Sequence, residues 1–250
     1  MDLLTSKDLV TASQITRRAN LHKIHRNFLG TGEWSRQKTQ LQTIANKSFQ
    51  ALQNKLVQQL YTFIKQYLKA DDKETKHQEL YNIFHEFFKK SYFLGVKSSG
   101  AGLVSHTFSF AHNVYGKPKI YETETLWSAE ATKIEQEFWV EFLKHVDRFI
   151  SKSILQQYVQ RLDSHYLAGR VVGAPSNSVV YWIMPEDHPH CTTCEQLQYS
   201  SPIDKECMVT TPRGGLCTCG KLCTCKIKIV PKQLRTRASL LPLQLSQLKQ

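Results

Sequence analysis

All seven cysteines of this 250-residue chain lie after residue 190. The first three-quarters must therefore hold together by packing and hydrogen bonding, without a crosslink or a thiolate-bound ion. The last quarter is the reverse case. "CTCGKLCTC", residues 217–225, concentrates four thiols, and "HPHCTTCEQL" adds Cys191 and Cys194. The opening "MDLLTSKDLVTAS" has acidic residues and no continuous apolar core, so it does not read as a signal peptide, and no apolar run reaches membrane-spanning length. A chain made in a reducing cytosol uses clustered cysteines as metal ligands rather than disulfides, and an odd total fits a disulfide framework poorly.

Zinc takes four ligands in a tetrahedron, and structural sites draw them as two pairs from two separate turns. Cys191 and Cys194 in "CTTC" make a good first pair, because two intervening residues let both sulfurs face one point. For the second pair, Cys219 and Cys223 enclose "GKL", whose glycine can take the left-handed conformation of a tight knuckle. Cys223 and Cys225 would diverge if a strand had already begun there. The preferred set is thus Cys191, Cys194, Cys219 and Cys223, with Cys225 and Cys217 as alternates. His188 and His190 sit too near Cys191 to be first choices as nitrogen ligands. Cys207 has no evident partner and is read as structural. The plain alternative is that the cysteines are small buried hydrophobes. Six thiols at turn-type spacing favour a metal. A segment of some 50 residues with few strands has little core of its own, so a bound ion would supply folding energy and the site would be structural and closed.

The body of the chain reads as helix. Leu41, Ile44, Phe49, Leu52, Leu56, Leu60, Ile64 and Leu68 trace one helical face, and "KADDKE" ends it. Leu80, Ile83, Phe84, Phe87 and Phe88 trace a second, which predicts a helical hairpin with these aromatics as core. "KSSGAGLVSHTFSFAHNVYGKPKIYETET" reads as a loop or small extended excursion. A third pattern from near Leu126, through Ile134, Phe138, Phe142, Phe149, Ile154, Tyr158, Leu162 and Tyr166, ends near Gly169. As one helix it would run roughly 60 Å, so it is either broken or braced by another subunit. Beyond the turn "GAPSNS", the β-branched and aromatic "VVYWIM" reads as a strand, and "KIKIV" alternates like a half-exposed one. The fold class is α+β: a basic arm over 1–40, a helical body over 41–170, a cysteine-rich zinc-stabilised β knob over 171–232, and a tail over 233–250.

The formal net charge of +12 favours polyanionic partners. Lys221, Lys226, Lys228, Lys232, Arg235 and Arg237 follow one another with no acidic residue between, a stripe able to track a phosphate backbone without reading bases. Arg17, Arg18, Lys23 and Arg26 form a second basic patch. Catalytic motifs are missing: there is no Walker-type loop, nucleophile elbow or HExxH. "PHCTTC" is like half of a nucleobase-deaminase zinc site. The "HQE" at His77 to Glu79 that would complete it lies over a hundred residues upstream on an amphipathic helix.

A longer pattern unites the C-terminal third. "VVYWIMPEDHPHCTTCEQLQYSSPI", the turn "TPRGGL" and "CGKLCTCKIKI" together resemble the C-terminal module of phage minor head proteins, the head-morphogenesis (Mu F-like) family. Trp182, Cys191, Cys194, Cys219, Cys223 and Cys225 carry the match, which covers roughly residues 126–230. Cys207 and Cys217 are additional, and Thr224 stands where the family's final C-x-C usually has arginine. The resemblance implies a virion component at the portal vertex inside the head, acting in head assembly and in DNA packaging or delivery, after a period in the host cytoplasm. Portal or capsid protein and nonspecific DNA would be its partners. A cellular zinc-ribbon nucleic-acid-binding regulator is the alternative, and a zinc hydrolase or deaminase a weaker third.

Overall fold

The sequence stripes become helices wherever they have a core to face. In the computed structural model, which describes residues 31–99, 118–124, 129–146, 151–175, 177–186 and 189–231, helix α1 runs Thr31–Tyr67 and α2 Lys73–Ser98. Phe49, Leu52, Leu56, Leu60 and Ile64 of the first stripe are buried, joined by Phe63 and Tyr67. Phe84, Phe87 and Phe88 of the second are at most 1% exposed. Leu68 lies past the end of α1 and is exposed. The hairpin turns through residues 68–72, and Asp72 caps α2 by accepting from the Thr75 N–H at 3.1 Å. Helix α1 begins some ten residues before its apolar stripe, inside the expected arm. Thr39 and Gln40 are exposed there, and exposed positions contribute no hydrophobic period to read.

The third stripe is broken rather than continuous. It gives α4 (Ala129–Val146), α5 (Lys152–Val159) and α6 (Leu162–Val172), preceded by the short α3 (Lys119–Glu124). Ser151 restarts the helix, its hydroxyl accepting from the Ile154 N–H at 3.4 Å. The break at residues 160–161 lets α6 fold back along α2. Leu126 and Phe149 of that stripe, most of the expected loop over 97–125, the basic patch Arg17, Arg18, Lys23 and Arg26, and the tail lie outside the described residues.

The crossing of α2 and α6 is unusually close. A Cβ on Gly95 would sit 2.0 Å from the Tyr166 carbonyl oxygen, and one on Gly169 would sit 2.0 Å from that of Tyr92. Each helix therefore supplies the glycine that the other's backbone requires. Ser91 seals the crossing by donating to the Leu162 carbonyl at 2.6 Å. Helix α1 joins through Phe49, stacked on Tyr166 with centroids 4.4 Å apart, and through the Tyr166 hydroxyl bonded to Asn46 at 2.7 Å.

After α6 the chain makes a three-stranded antiparallel sheet of β1 (Ser178–Ile183), β2 (Ile203–Asp204) and β3 (Lys226–Pro231), in the order β2-β1-β3. The strands expected from "VVYWIM" and "KIKIV" are β1 and β3. Helix α7 (Thr192–Tyr199) follows β1, where the sequence suggested only a turn between Cys191 and Cys194. The knob is not coreless. Val180, Trp182, Leu197, Ile203, Met208 and the cysteines share one buried cluster with Tyr92 of α2, Ile120 and Tyr121 of α3, and Ala168 and Val171 of α6.

Because the Gly95 and Gly169 contacts are backbone to backbone, no rotamer change can relieve an added methyl. Gly95→Ala and Gly169→Ala are each expected to lower stability by about 3 kcal/mol or more, at the upper end of overpacking effects. Chemical denaturation followed by circular dichroism checks this, with the exposed-site Thr43→Ala as the control.

Candidate metal centre

Four chain segments bring six sulfurs together. Cys191 is the N-cap of α7, and Cys194 lies in its first turn, fully buried. Cys217 and Cys219 come from the turn that follows Gly214, where the Cys217 N–H bonds the Gly214 carbonyl at 3.0 Å. Cys223 ends a 3-10 turn, Gly220–Leu222, and Cys225 precedes β3. Gly220 has φ +53°, the left-handed knuckle expected of the glycine in "CGKLC".

Cys194 Sγ is the hub. It lies 3.5 Å from Cys191, 3.6 Å from Cys217, 3.9 Å from Cys219 and 3.9 Å from Cys223. These separations are far too long for disulfides, and all seven cysteines are free thiols. They do match the edge of a tetrahedron of sulfurs about one ion, about 3.8 Å for a metal–sulfur bond of about 2.3 Å. The cluster is able to hold a metal ion.

The sulfurs divide into two groups. Cys191, Cys194, Cys217 and Cys219 lie within 4.8 Å of one another, and so do Cys194, Cys223 and Cys225. The preferred quartet is thus split: Cys223 falls in the second group, and Cys217, an alternate, takes its place in the first. Spacing alone could not show that the turn at Gly214 carries Cys217 inward, to 2% exposure. Cys207, for which the sequence offered no partner, stands apart from the cluster, exposed at the end of a 3-10 turn. His190 is nearer than its position suggested, with Nδ1 3.5 Å from Cys225 Sγ, because β3 returns beside the segment leading into α7.

The electrostatics of the cluster favour a cation. Burial raises the Cys191 thiol, but hydrogen bonds from the Thr218 side chain, the Cys194 backbone, and the side chain and backbone of Cys219 outweigh it and hold it down at about 6. The Cys219 sulfur in turn accepts from the Cys191 N–H at 3.2 Å. Cys223 is held down at about 5 by the Cys217 thiol and, against burial, by the backbone N–H groups of Arg213 and Cys225. Cys217 and Cys194 are pushed far up, Cys217 chiefly by Cys223 and Cys194 chiefly by burial, while burial takes Cys225 to about 11. Some sulfurs are set as thiolates and their neighbours cannot ionise beside them. A divalent ion removes that conflict.

A polar clamp, unseen in the sequence, fixes the cysteine turns to the helices. Glu124, at the end of α3, is buried and accepts from the Thr210 hydroxyl, the Thr211 N–H at 3.2 Å and the Thr211 hydroxyl at 2.8 Å. Burial raises its pKa against the pull of Arg161 and both threonines. Arg161, itself buried, donates to the Arg213 carbonyl and to the Ser164 hydroxyl, and it feels Glu124, Glu135 and Cys217. A Cβ on Gly214 would meet the Glu124 carboxylate at 1.8 Å, which accounts for the first glycine of "TPRGGL". Lys205 reaches across to the carbonyls of Val172 and Ala174, at 3.2 and 2.6 Å. Nothing in the run "YETET" distinguishes Glu124 from Glu122, so only the fold could single it out.

Of the proposed nucleic-acid contacts, Lys226 and Lys228 are exposed on one face of β3, beside Ile183 and Tyr181 of β1 in the pairing register. Lys232, Arg235 and Arg237 lie outside the described residues, as does the side chain of Lys221. His77 and Glu79 of the deaminase-like reading sit in the helical body: His77 stacks on Tyr67, and Glu79 pairs with Lys76 at 2.6 Å. No helix among the described residues is long and apolar enough to cross a membrane. No protein-family model, curated protein or solved structure matches the chain.

Titration of the reduced chain with Co2+ is expected to give the absorption bands of tetrahedral thiolate coordination. Cys194→Ser should abolish or strongly weaken them, and Cys207→Ser should leave them unchanged. Separately, Glu124→Ala removes the acceptor of two buried threonines and a negative charge felt by Arg161. It is expected to destabilise the fold by about 1–3 kcal/mol, the cost of leaving buried hydrogen-bond donors unsatisfied, measured by denaturant unfolding.

Proposed function

We propose that this chain is a non-enzymatic structural and assembly protein of a phage head, a minor head protein at the portal vertex, with zinc as the structural ion of its cysteine cluster. The observation that carries the reading is the convergence of the positions behind the family resemblance. Trp182, Cys194, Cys223 and Cys225 share one buried cluster, and Cys191 and Cys219 pack against it. Zinc suits an all-thiolate tetrahedral set with no redox role. The glycine-locked helices and the clamped knob supply rigid surfaces for docking on portal or capsid protein. The exposed face that combines Tyr181 and Ile183 with Lys226 and Lys228 suits nonspecific contact with packaged DNA. That same face would serve the alternative reading, a zinc-ribbon nucleic-acid-binding regulator.

Two measurements separate these. A minor head protein is expected to be encoded beside portal and major capsid genes and to co-sediment with coexpressed portal rings. An isolated gene with no co-sedimentation would overturn the assignment in favour of the regulator. For the DNA contact, binding to random-sequence duplex should weaken steeply with salt. Lys226→Glu with Lys228→Glu should flatten that dependence by about two counterions. Absence of binding at low salt would remove DNA from the partners.

A further inference from the structure

Six thiols are more than one tetrahedral ion can use, and their arrangement is not that of a quartet with two spares. Cys194 belongs to both sulfur groups, 3.5–3.9 Å from members of each. The first group is already a complete set of four. The second, Cys194, Cys223 and Cys225, lacks one ligand.

His190 is placed to supply it. Its Nδ1 is 3.5 Å from Cys225 Sγ, against about 3.6 Å for a nitrogen–sulfur edge built from metal bonds of about 2.05 and 2.3 Å. Its other ring nitrogen, Nε2, lies 2.6 Å from the Pro185 carbonyl oxygen. A carbonyl can only accept, so Nε2 carries the proton and Nδ1 presents a free lone pair toward the sulfurs. Such an outer hydrogen bond is what orients ligating histidines.

We propose that the cluster binds two divalent d10 ions, bridged by the Cys194 thiolate: one on Cys191, Cys194, Cys217 and Cys219, the other on Cys194, Cys223, Cys225 and His190. Seven ligands then fill eight coordination positions, with one shared. The charge permits the second ion. One ion on four thiolates leaves two neighbouring thiols protonated. Binding the second releases those two protons to solvent as Zn–S bonds form at Cys223 and Cys225. A further bond forms to the already ligated Cys194 sulfur and a Zn–N bond forms at neutral His190, so the net charge of the site stays at minus two. The buried Arg161 guanidinium near Cys217 offsets part of it in either case. This inference rests on the metal-binding part of the proposed function and fixes its stoichiometry.

Native mass spectrometry of the full chain, refolded or purified with zinc under reducing conditions, reads the stoichiometry directly. Two ions per chain are expected for the wild type, and one for His190→Ala combined with Cys225→Ser, which leaves the first quartet whole. With 113Cd in place of zinc, two resonances with mutual scalar coupling through the shared sulfur are expected. A single ion in the wild type, or two ions retained in the double variant, would overturn the binuclear arrangement while leaving a structural metal site in place. No bound ion at all would overturn both.

Discussion

The sulfur of Cys194 is surrounded by four others at 3.5–3.9 Å, in a pocket from which water is largely removed. Thiolates at such separations repel strongly, and thiols there gain little from one another, since sulfur is a weak donor and a weak acceptor. The arrangement gains stability once positive charge sits among the sulfurs. Strands β1 and β3 are held by their own pairing, and α7 and the turn after Gly214 meet them through the shared apolar cluster and the sulfurs. An ion held by the sulfurs would fix the angle of α7 and of the turn after Gly214 against that sheet.

The helical body does not simply carry the knob. Tyr92 and Val171, with Ile120 and Tyr121 of α3, form one wall of the cluster's apolar surround, and the Glu124 clamp holds the segment leading into the cysteine turns. The charge of Arg161 links the two, facing Glu124 and Glu135 as well as Cys217. A buried ionic group of this kind gives register more than raw stability. Here it specifies which face of the knob meets the helices.

Much of this was legible in advance. The helical stripes marked the residues now buried in α1, α2 and α4 to α6, and the two main strands stood out by alternation and β-branching. So did the six cysteines as a set, and Gly220 as the knuckle residue. What could not be read has a common cause, since it depends on distant segments meeting. Cys217 and Cys219 differ only by a turn direction, and His190 gains its role only because β3 returns beside it. Exposed Thr39 and Gln40 in α1 contribute no period. The restart at α5 rests on a Ser151 cap that any serine could form, and α6 begins after Arg161 with no side-chain cap to mark it. Glu124 looks like every other acidic residue in its run until the fold buries it.

The reciprocal glycines of α2 and α6 have an effect beyond tight packing. With each helix pressed on a carbonyl of the other, α6 cannot roll about its axis: a turn of one residue would bring Ala168 or Arg170 against the Tyr92 backbone. Helix α6 ends at Val172, shortly before β1 begins at Ser178. The azimuth at which the sheet leaves the helices is therefore decided two turns earlier, by the absence of two side chains.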